Sequence, residues 1–242
     1  MSRPQPPAPL PGARPGASAV IAAFPGELAP LVRGWRRLGT NAPGSGLWVL
    51  GSEHRWVAAC AGSGALAVER AFTLAASQGP LGAVVSYGLA GALRTGLKPG
   101  TAHWVSAGLS VDSGAAWSAL HPAKGAFLLT SPRIEPAEGK ADLLRRFPGS
   151  DLVDMEAGAL ARLAEKQRLP FYCLKGVSDG AEESLPDFTP FLRADGTLAL
   201  TSLVTHFAVR PNNWKKLIDL ARVSAAAAKA MRETWMRSNI PI

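Results

Sequence analysis

The stretch from Asp151 to Asp179, DLVDMEAGALARLAEKQRLPFYCLKGVSD, constrains the fold of this chain more than any other. Met155, Leu160, Leu163 and Ala164 recur at helical spacing, which predicts a helix with one apolar stripe. Glu156 lies on that stripe, four residues before Leu160 and seven before Leu163. A carboxylate facing a core is costly without a partner, so its position there asks for a role. Leu169-Pro170 ends the helix. FYCLKGV, short and largely apolar, then predicts a buried strand whose last residues are Ser178 and Asp179. A helix followed by a buried strand is the unit of an open α/β sheet, and such sheets bind ligands outside the carboxyl ends of their strands. Glu156 and Asp179 therefore point to one candidate site. The bland alternative is an unrelated α/β protein in which Glu156 caps a helix and Asp179 ends a strand.

The pattern D-M-E-A-G-A followed by V-S-D resembles the nucleoside phosphorylase and nucleosidase superfamily, and within it the methylthioadenosine/S-adenosylhomocysteine nucleosidases. In that family the Met-Glu pair holds the ribose and the Asp of Ser-Asp serves the purine. The resemblance places those roles on Met155, Glu156, Ser178 and Asp179. It implies a three-layer α/β fold with a central mixed sheet flanked by helices.

Two further segments carry the resemblance. ASAVIAAF at 17 to 24 predicts the first strand, broken by Pro25-Gly26, and a helix is expected from Glu27 through ELAPLVRGWRRL. The family has an acidic stretch here whose last Glu activates the attacking water, which corresponds to Glu27. Its other acidic positions are occupied by Pro25 and Gly26. Read alone, Glu27 is equally a first-turn residue favoured by the helix dipole. The second segment is AVVSYGLAGALRTGLKPGTAHWVSAGL. A strand, AVVS, leads into a glycine-rich run from Tyr87 to Leu93. A turn at Lys98-Pro99-Gly100 and a strand, HWVSA, follow. The family's glycines bring main chain close to ribose and base, which assigns Gly88, Ala90 and Gly91 to the ligand floor. Phosphorylases of the family hold phosphate with an Arg and a hydroxyl near these glycines. Those positions are Ser86 and Leu89 here, and a leucine cannot hydrogen-bond an anion. Arg94, Lys98 and Arg133 are the nearby cations that could substitute. The aromatic that stacks on the purine in the nucleosidases corresponds to a position close to Ile134, an aliphatic residue.

Between these landmarks, WVLG and WVAAC predict a hairpin with a polar turn at 52 to 55. Gly62-Ser63-Gly64 then leads into the helix ALAVERAFTLAAS. A Gly-x-Gly at a strand end permits close backbone approach to a ligand but is weak evidence alone. His103 and His121 have no ligand spacing. Cys60 and Cys173 lie in apolar segments and are expected as buried thiols, with no zinc or disulfide framework. No metal and no redox cofactor are implied.

With 242 residues, 47% hydrophobic and 18% charged, the chain suits one α/β domain. The organisation expected is a disordered Pro-rich tail at 1–16, a catalytic domain at 17–208 and a basic amphipathic helix at 209–242. No signal peptide or transmembrane-length apolar run is evident, which points to a cytoplasmic protein. TLALTSLVTHF at 197 to 207 predicts an apolar helix, broken by Pro211. The formal charge of +8 is uneven: Arg210 to Arg237 holds seven Lys or Arg against Asp219 and Glu233, a net +5. That segment, with exposed-looking Trp214 and Trp235, suits either a peripheral lipid surface or a solvated face packed on the domain. It also resembles the basic C-terminal helix of the hopanoid-associated phosphorylases, which release adenine from adenosylhopane, a lipid-linked nucleoside.

The activity implied is cleavage of the N-glycosidic bond of a purine nucleoside, with adenine as the expected base and water as nucleophile. Asp179 would serve N7, protonated or relaying a proton, Glu156 would hold the ribose, and Glu27 would orient or deprotonate the water. The competing expectations are phosphorolysis on the same fold, and a non-catalytic membrane- or nucleic-acid-associated protein that keeps the scaffold. A homo-oligomer is usual in the family, and no specific nucleic acid is expected.

Overall fold

The computed structural model describes residues 16–40, 45–50, 55–185, 189–191, 193, 195–197 and 214–238. The Pro-rich stretch 1–15, the turn at 52–54 and the apolar segment 198–207 lie outside the described residues.

One mixed sheet organises the domain. Its parallel centre is β4 (Trp56–Cys60), β1 (Ala17–Ala22), β5 (Leu81–Ala92) and β10 (Phe171–Asp179). These strands are almost wholly buried, which explains why they are continuous apolar runs rather than alternating ones. Beyond β4 the sheet extends antiparallel through β3 (Gly46–Leu50) and β2 (Arg36–Leu38). The expected hairpin is therefore present. On the other side, β6 (Ala102–Ser110), β8 (Ala126–Thr130) and β9 (Leu152–Asp154) run from β10 back to β5, so these five strands close on themselves. The short β7 (Ala116–Ser118) pairs with β6 alone.

Helices cover both faces. α2 (Ala65–Ala76) and α4 (Ala157–Lys166) pack on one, burying Val68, Ala71, Leu160 and Ala164 with Ile21, Val84 and Cys173. The other carries α1 (Pro25–Leu28) and α5 (Trp214–Arg237), whose Leu28, Ala228, Met231 and Trp235 pack with Val20, Trp56 and Tyr87. α3 (Ala137–Arg146) lies beyond β8 and buries Leu143 with Leu129 and Val153. The three-layer α/β architecture expected from the sequence is what the chain adopts.

Three local expectations are corrected. The helix expected from Glu27 onward is only the four-residue α1, and the chain becomes strand again at Arg36. Pro30 and Gly34, inside the expected helix, explain the break, and Gly34 has a positive φ of 86°. The strand expected over AVVS is longer, because β5 continues through the glycine-rich run to Ala92. Trp235 is not exposed: it is fully buried, with ring contacts to Trp56, Tyr87 and Trp104. Trp214 is about half exposed, at 51%.

Candidate active site

A cavity of about 250 Å³ opens at the carboxyl edge of the parallel strands. Its walls bring together Glu27, Glu156, Asp179, Met155, Ser178, Ala90, Gly91 and Ile134, residues spread over 150 positions of sequence. Gly88 is the exception among the expected ligand contacts. It lies behind the cavity floor, where a Cβ would come within 3.3 Å of Glu27 Oε1. Its absence of a side chain lets the Glu27 carboxylate sit against β5.

Glu27 belongs to the first turn after β1. Its Oε2 accepts hydrogen bonds from the N–H groups of Ala23 and Phe24, both at 2.9 Å, and Oε1 accepts from Leu89 at 3.0 Å. Burial raises its pKa, and the three backbone donors together with the Lys175 charge counter that shift. The carboxylate that sequence analysis assigned to the nucleophile is thus fixed in place.

Glu156 sits at the N-cap of α4, before the helix proper, so it is not a member of the helical stripe. Its Oε1 accepts from Ser63 Oγ at 2.5 Å and from Gly64 N at 2.8 Å, and Oε2 accepts from Met155 N at 3.2 Å. The Gly62-Ser63-Gly64 turn therefore serves as a cradle for Glu156. Burial, followed by the neighbouring Asp154 charge, pushes the Glu156 pKa up to about 7 against the opposing pull of Lys175, Ser63 and Gly64.

Asp179 ends β10 directly opposite Gly91 in the parallel register. The register slips between Val177 and Asp179, which leaves Ser178 as an extra residue. Ser178 Oγ donates to Asp179 Oδ1. A Cβ at Gly91 would lie 3.0 Å from Asp179 Oδ2, so glycine is what admits the carboxylate at this spot.

Two lysines complete the site, and sequence analysis assigned neither. Lys140 of α3, 2% exposed, forms an ion pair with Asp179 and lines the cavity. Lys175 of β10 pairs with Asp154 at 2.8 Å beneath the floor. Burial works against the Lys175 ammonium, but Asp154, then Cys173 and Glu156, raise its pKa overall. The signal for both was present. Lys175 interrupts an otherwise apolar strand, and Lys140 precedes the buried Leu143 by one helical turn. A cation in such a position needs a partner just as Glu156 did. A narrow space of about 10 Å³ behind the cavity, lined by Glu27, Glu156, Lys175 and Ser86, is about what one water requires.

Of the cations considered as phosphate ligands, Arg94 pairs with Asp151 and lines a separate surface hollow with Leu93 and Leu144. Lys98 lines neither. Arg133 does reach the cavity wall, with its guanidinium on Glu135 at 3.2 Å. Leu89 occupies the wall where a phosphate-binding hydroxyl was expected. Among the described residues, no group of three or more His, Cys, Asp or Glu is arranged to hold a metal ion.

Comparison with known proteins bears on the fold. The family model described as Phosphorylase superfamily matches residues 104–207. No curated protein matches the chain. Among solved structures, the 5′-methylthioadenosine/S-adenosylhomocysteine nucleosidase of Neisseria meningitidis, in complex with methylthio-immucillin-A, is 18% identical. The match covers 90% of this chain and 99% of that one, with a TM-score of 0.62. The S-adenosylhomocysteine nucleosidase of Streptococcus pyogenes is 14% identical over 91% of this chain and 94% of its own, with a TM-score of 0.66. The Colwellia psychrerythraea nucleosidase, in complex with adenine, is 16% identical over 90% and 93%, with a TM-score of 0.65. At these identities the likeness shows a shared fold. That fold is the one shared with these nucleosidases, and the Phosphorylase superfamily match falls on residues 104–207 of it.

Proposed function

We propose that this protein cleaves the N-glycosidic bond of a purine nucleoside, releasing the free base with water as nucleophile. The observation that carries the reading is the convergence of Glu27, Glu156 and Asp179 on one cavity, each fixed by its own set of donors. Structural neighbours crystallised with adenine or nucleoside analogues support a purine ligand.

The chemistry follows from the arrangement. As the C1′–N9 bond lengthens, the ribose gains oxocarbenium character, which the Glu156 carboxylate stabilises while it holds the ribose hydroxyls. Glu27 takes the proton of the attacking water. The base leaves with a proton at N7, delivered at the Asp179 end. Adenine is the base we assign, since an Asp179 carboxylate accepts a hydrogen bond from an exocyclic amine and would repel a ring carbonyl. Leu89 on the cavity wall favours water over phosphate. Arg133 is the one observation on the side of phosphorolysis, and its partner Glu135 already neutralises it.

The finer substrate we propose is a nucleoside with an apolar 5′ extension, such as a lipid-linked one. Phe24, Leu185 and Leu220 give the cavity an apolar flank. Trp214, Ile218 and Met236 stand exposed on α5, which would let the protein meet such a substrate at a membrane surface. No described helix is long and apolar enough to cross a membrane.

The test is release of free base from a panel of nucleosides with and without phosphate. We expect adenine from adenosine-type substrates, no ribose 1-phosphate, and a loss on the order of a hundredfold in Asp179→Asn. A phosphorylated sugar that scales with added phosphate, or an Asp179→Asn variant as active as the parent, would overturn the assignment. Sedimentation with anionic vesicles at low salt tests the membrane contact. Protein left wholly in the supernatant counts against it.

A further inference from the structure

The proposed reaction requires a proton for the departing base, and the residue nearest that task accepts hydrogen bonds on both carboxylate oxygens. Asp179 forms an ion pair with the Lys140 ammonium through Oδ2, while Oδ1 accepts the Ser178 hydroxyl proton. An ionised carboxylate is an acceptor only. Among the described residues, the only titratable donor to Asp179 is Lys140. Its other hydrogen bonds go to the carbonyl oxygens of Gly180 and Glu183, each at 2.7 Å, so all three ammonium protons are placed. Those two bonds tie the segment after β10 to α3. They also hold Nζ rigidly against the Asp179 carboxylate, at the wall of the cavity rather than in bulk water.

We propose that Lys140 is the positioning residue that charges Asp179 with the proton passed to the leaving base. The inference rests on the glycosidic reading above. As the C1′–N9 electron pair moves onto the base, a proton passes from Nζ to the Asp179 carboxylate and from the carboxyl to N7. Lys140 is left as a neutral amine and Asp179 as a carboxylate, and solvent returns the proton to Nζ once the base has gone. A lysine suits this use because its ammonium can pass a proton to an acceptor it already hydrogen-bonds. An arginine would hold the same charge but could not give up a proton.

That difference provides the test, made on the full chain with kcat and KM for adenine release from adenosine. Lys140→Arg should keep the circular dichroism spectrum and change KM little, while kcat falls on the order of a hundredfold. An arginine variant with near-parental kcat would show that Lys140 only anchors charge, and would sink the proposal.

A second route covers an arginine that fails to fit. Lys140→Cys treated with 2-bromoethylamine regains an ammonium at nearly the original length. Burial, then the Glu27 charge, pushes the Cys60 thiol up to about 12, and burial does the same to Cys173, so neither competes for the reagent. Alkylation should recover activity at least tenfold, and the neutral adduct from iodoacetamide should not. Complete aminoethylation with no recovery overturns the proposal. If the parent protein releases no base from any nucleoside, the glycosidic reading itself fails, an outcome distinct from parental turnover that is indifferent to Lys140.

Discussion

Lys175 Nζ lies 2.8 Å from Asp154 Oδ2, with 2% and 0% of their side chains exposed. Asp154 also accepts Thr130 Oγ1 and the Ala157 N–H, each at 2.9 Å, and so joins β8, the start of α4 and β10 under the cavity floor. Removing one member leaves the other charge buried. Asp154→Ala should therefore cost about 3–5 kcal/mol in urea unfolding. The double change Asp154→Leu with Lys175→Met should cost less than Asp154→Ala alone, because no charge is stranded. If the single and double variants lose equal stability, the pair is not energetically coupled.

Glu27 has three backbone donors and no side-chain partner among its hydrogen bonds. In Glu27→Gln, one amide oxygen can still serve Ala23 and Phe24, but the amide NH₂ would then face the Leu89 N–H. We expect about 1–3 kcal/mol of destabilisation from that unsatisfied donor. Turnover should fall on the order of a hundredfold, the scale of a lost general base. A variant that loses stability but retains kcat would remove Glu27 from the chemistry.

The sequence made the three carboxylates legible because each stands where a strand gives way to a turn or helix, next to residues with few other reasons to be there. β1 was legible as an unbroken apolar run, and β10 as a largely apolar one. The lysines were not, although the same reasoning applied to them. A charge inside FYCLKGV demands a partner, but Asp154 lies 21 positions earlier and only the sheet brings it near. Asp179 and Lys140 meet across 39 positions for the same reason. Gly88 was assigned to the ligand floor because a glycine signals a close approach without saying what approaches. Here it is the Glu27 carboxylate.

The Glu156 pKa of about 7, raised from 4.5, has two consequences of opposite sign. Between those values the folded protein binds more protons than the unfolded chain. Stability should therefore fall as pH rises from about 4.5 to 7 on account of this group. The ionised form is the one that stabilises a cationic sugar, so kcat/KM should rise through about pH 7. Glu156→Gln should abolish both dependences. A kcat/KM profile flat from pH 5 to 8 in the parent would contradict the role assigned to Glu156.

Trp235 decides how α5 should be regarded. A 24-residue helix can show different faces to the protein along its length, and only Trp214 of its two tryptophans is exposed. Ile218 is 64% exposed, whereas Ala227, Ala228, Met231 and Trp235 are buried against the sheet. The Trp235 ring lies 5.6 Å from Trp56, 5.7 Å from Tyr87 and 6.0 Å from Trp104, measured between centroids. The helix is therefore part of the fold and also supplies Leu220 and Ser224 to the cavity wall. Trp235→Ala should cost about 3–5 kcal/mol, the usual loss for emptying a large aromatic site. Ile218→Ser should change stability by no more than about 0.5 kcal/mol. Equilibrium denaturation of the two variants measures both, and equal effects would mean that α5 does not pack through its C-terminal half. For the same reason, truncation before Trp214 should expose the Trp56–Tyr87 face and yield aggregated protein. The contribution of α5 to vesicle binding is then better read from Ile218→Ser and Met236→Ser, which leave that face covered.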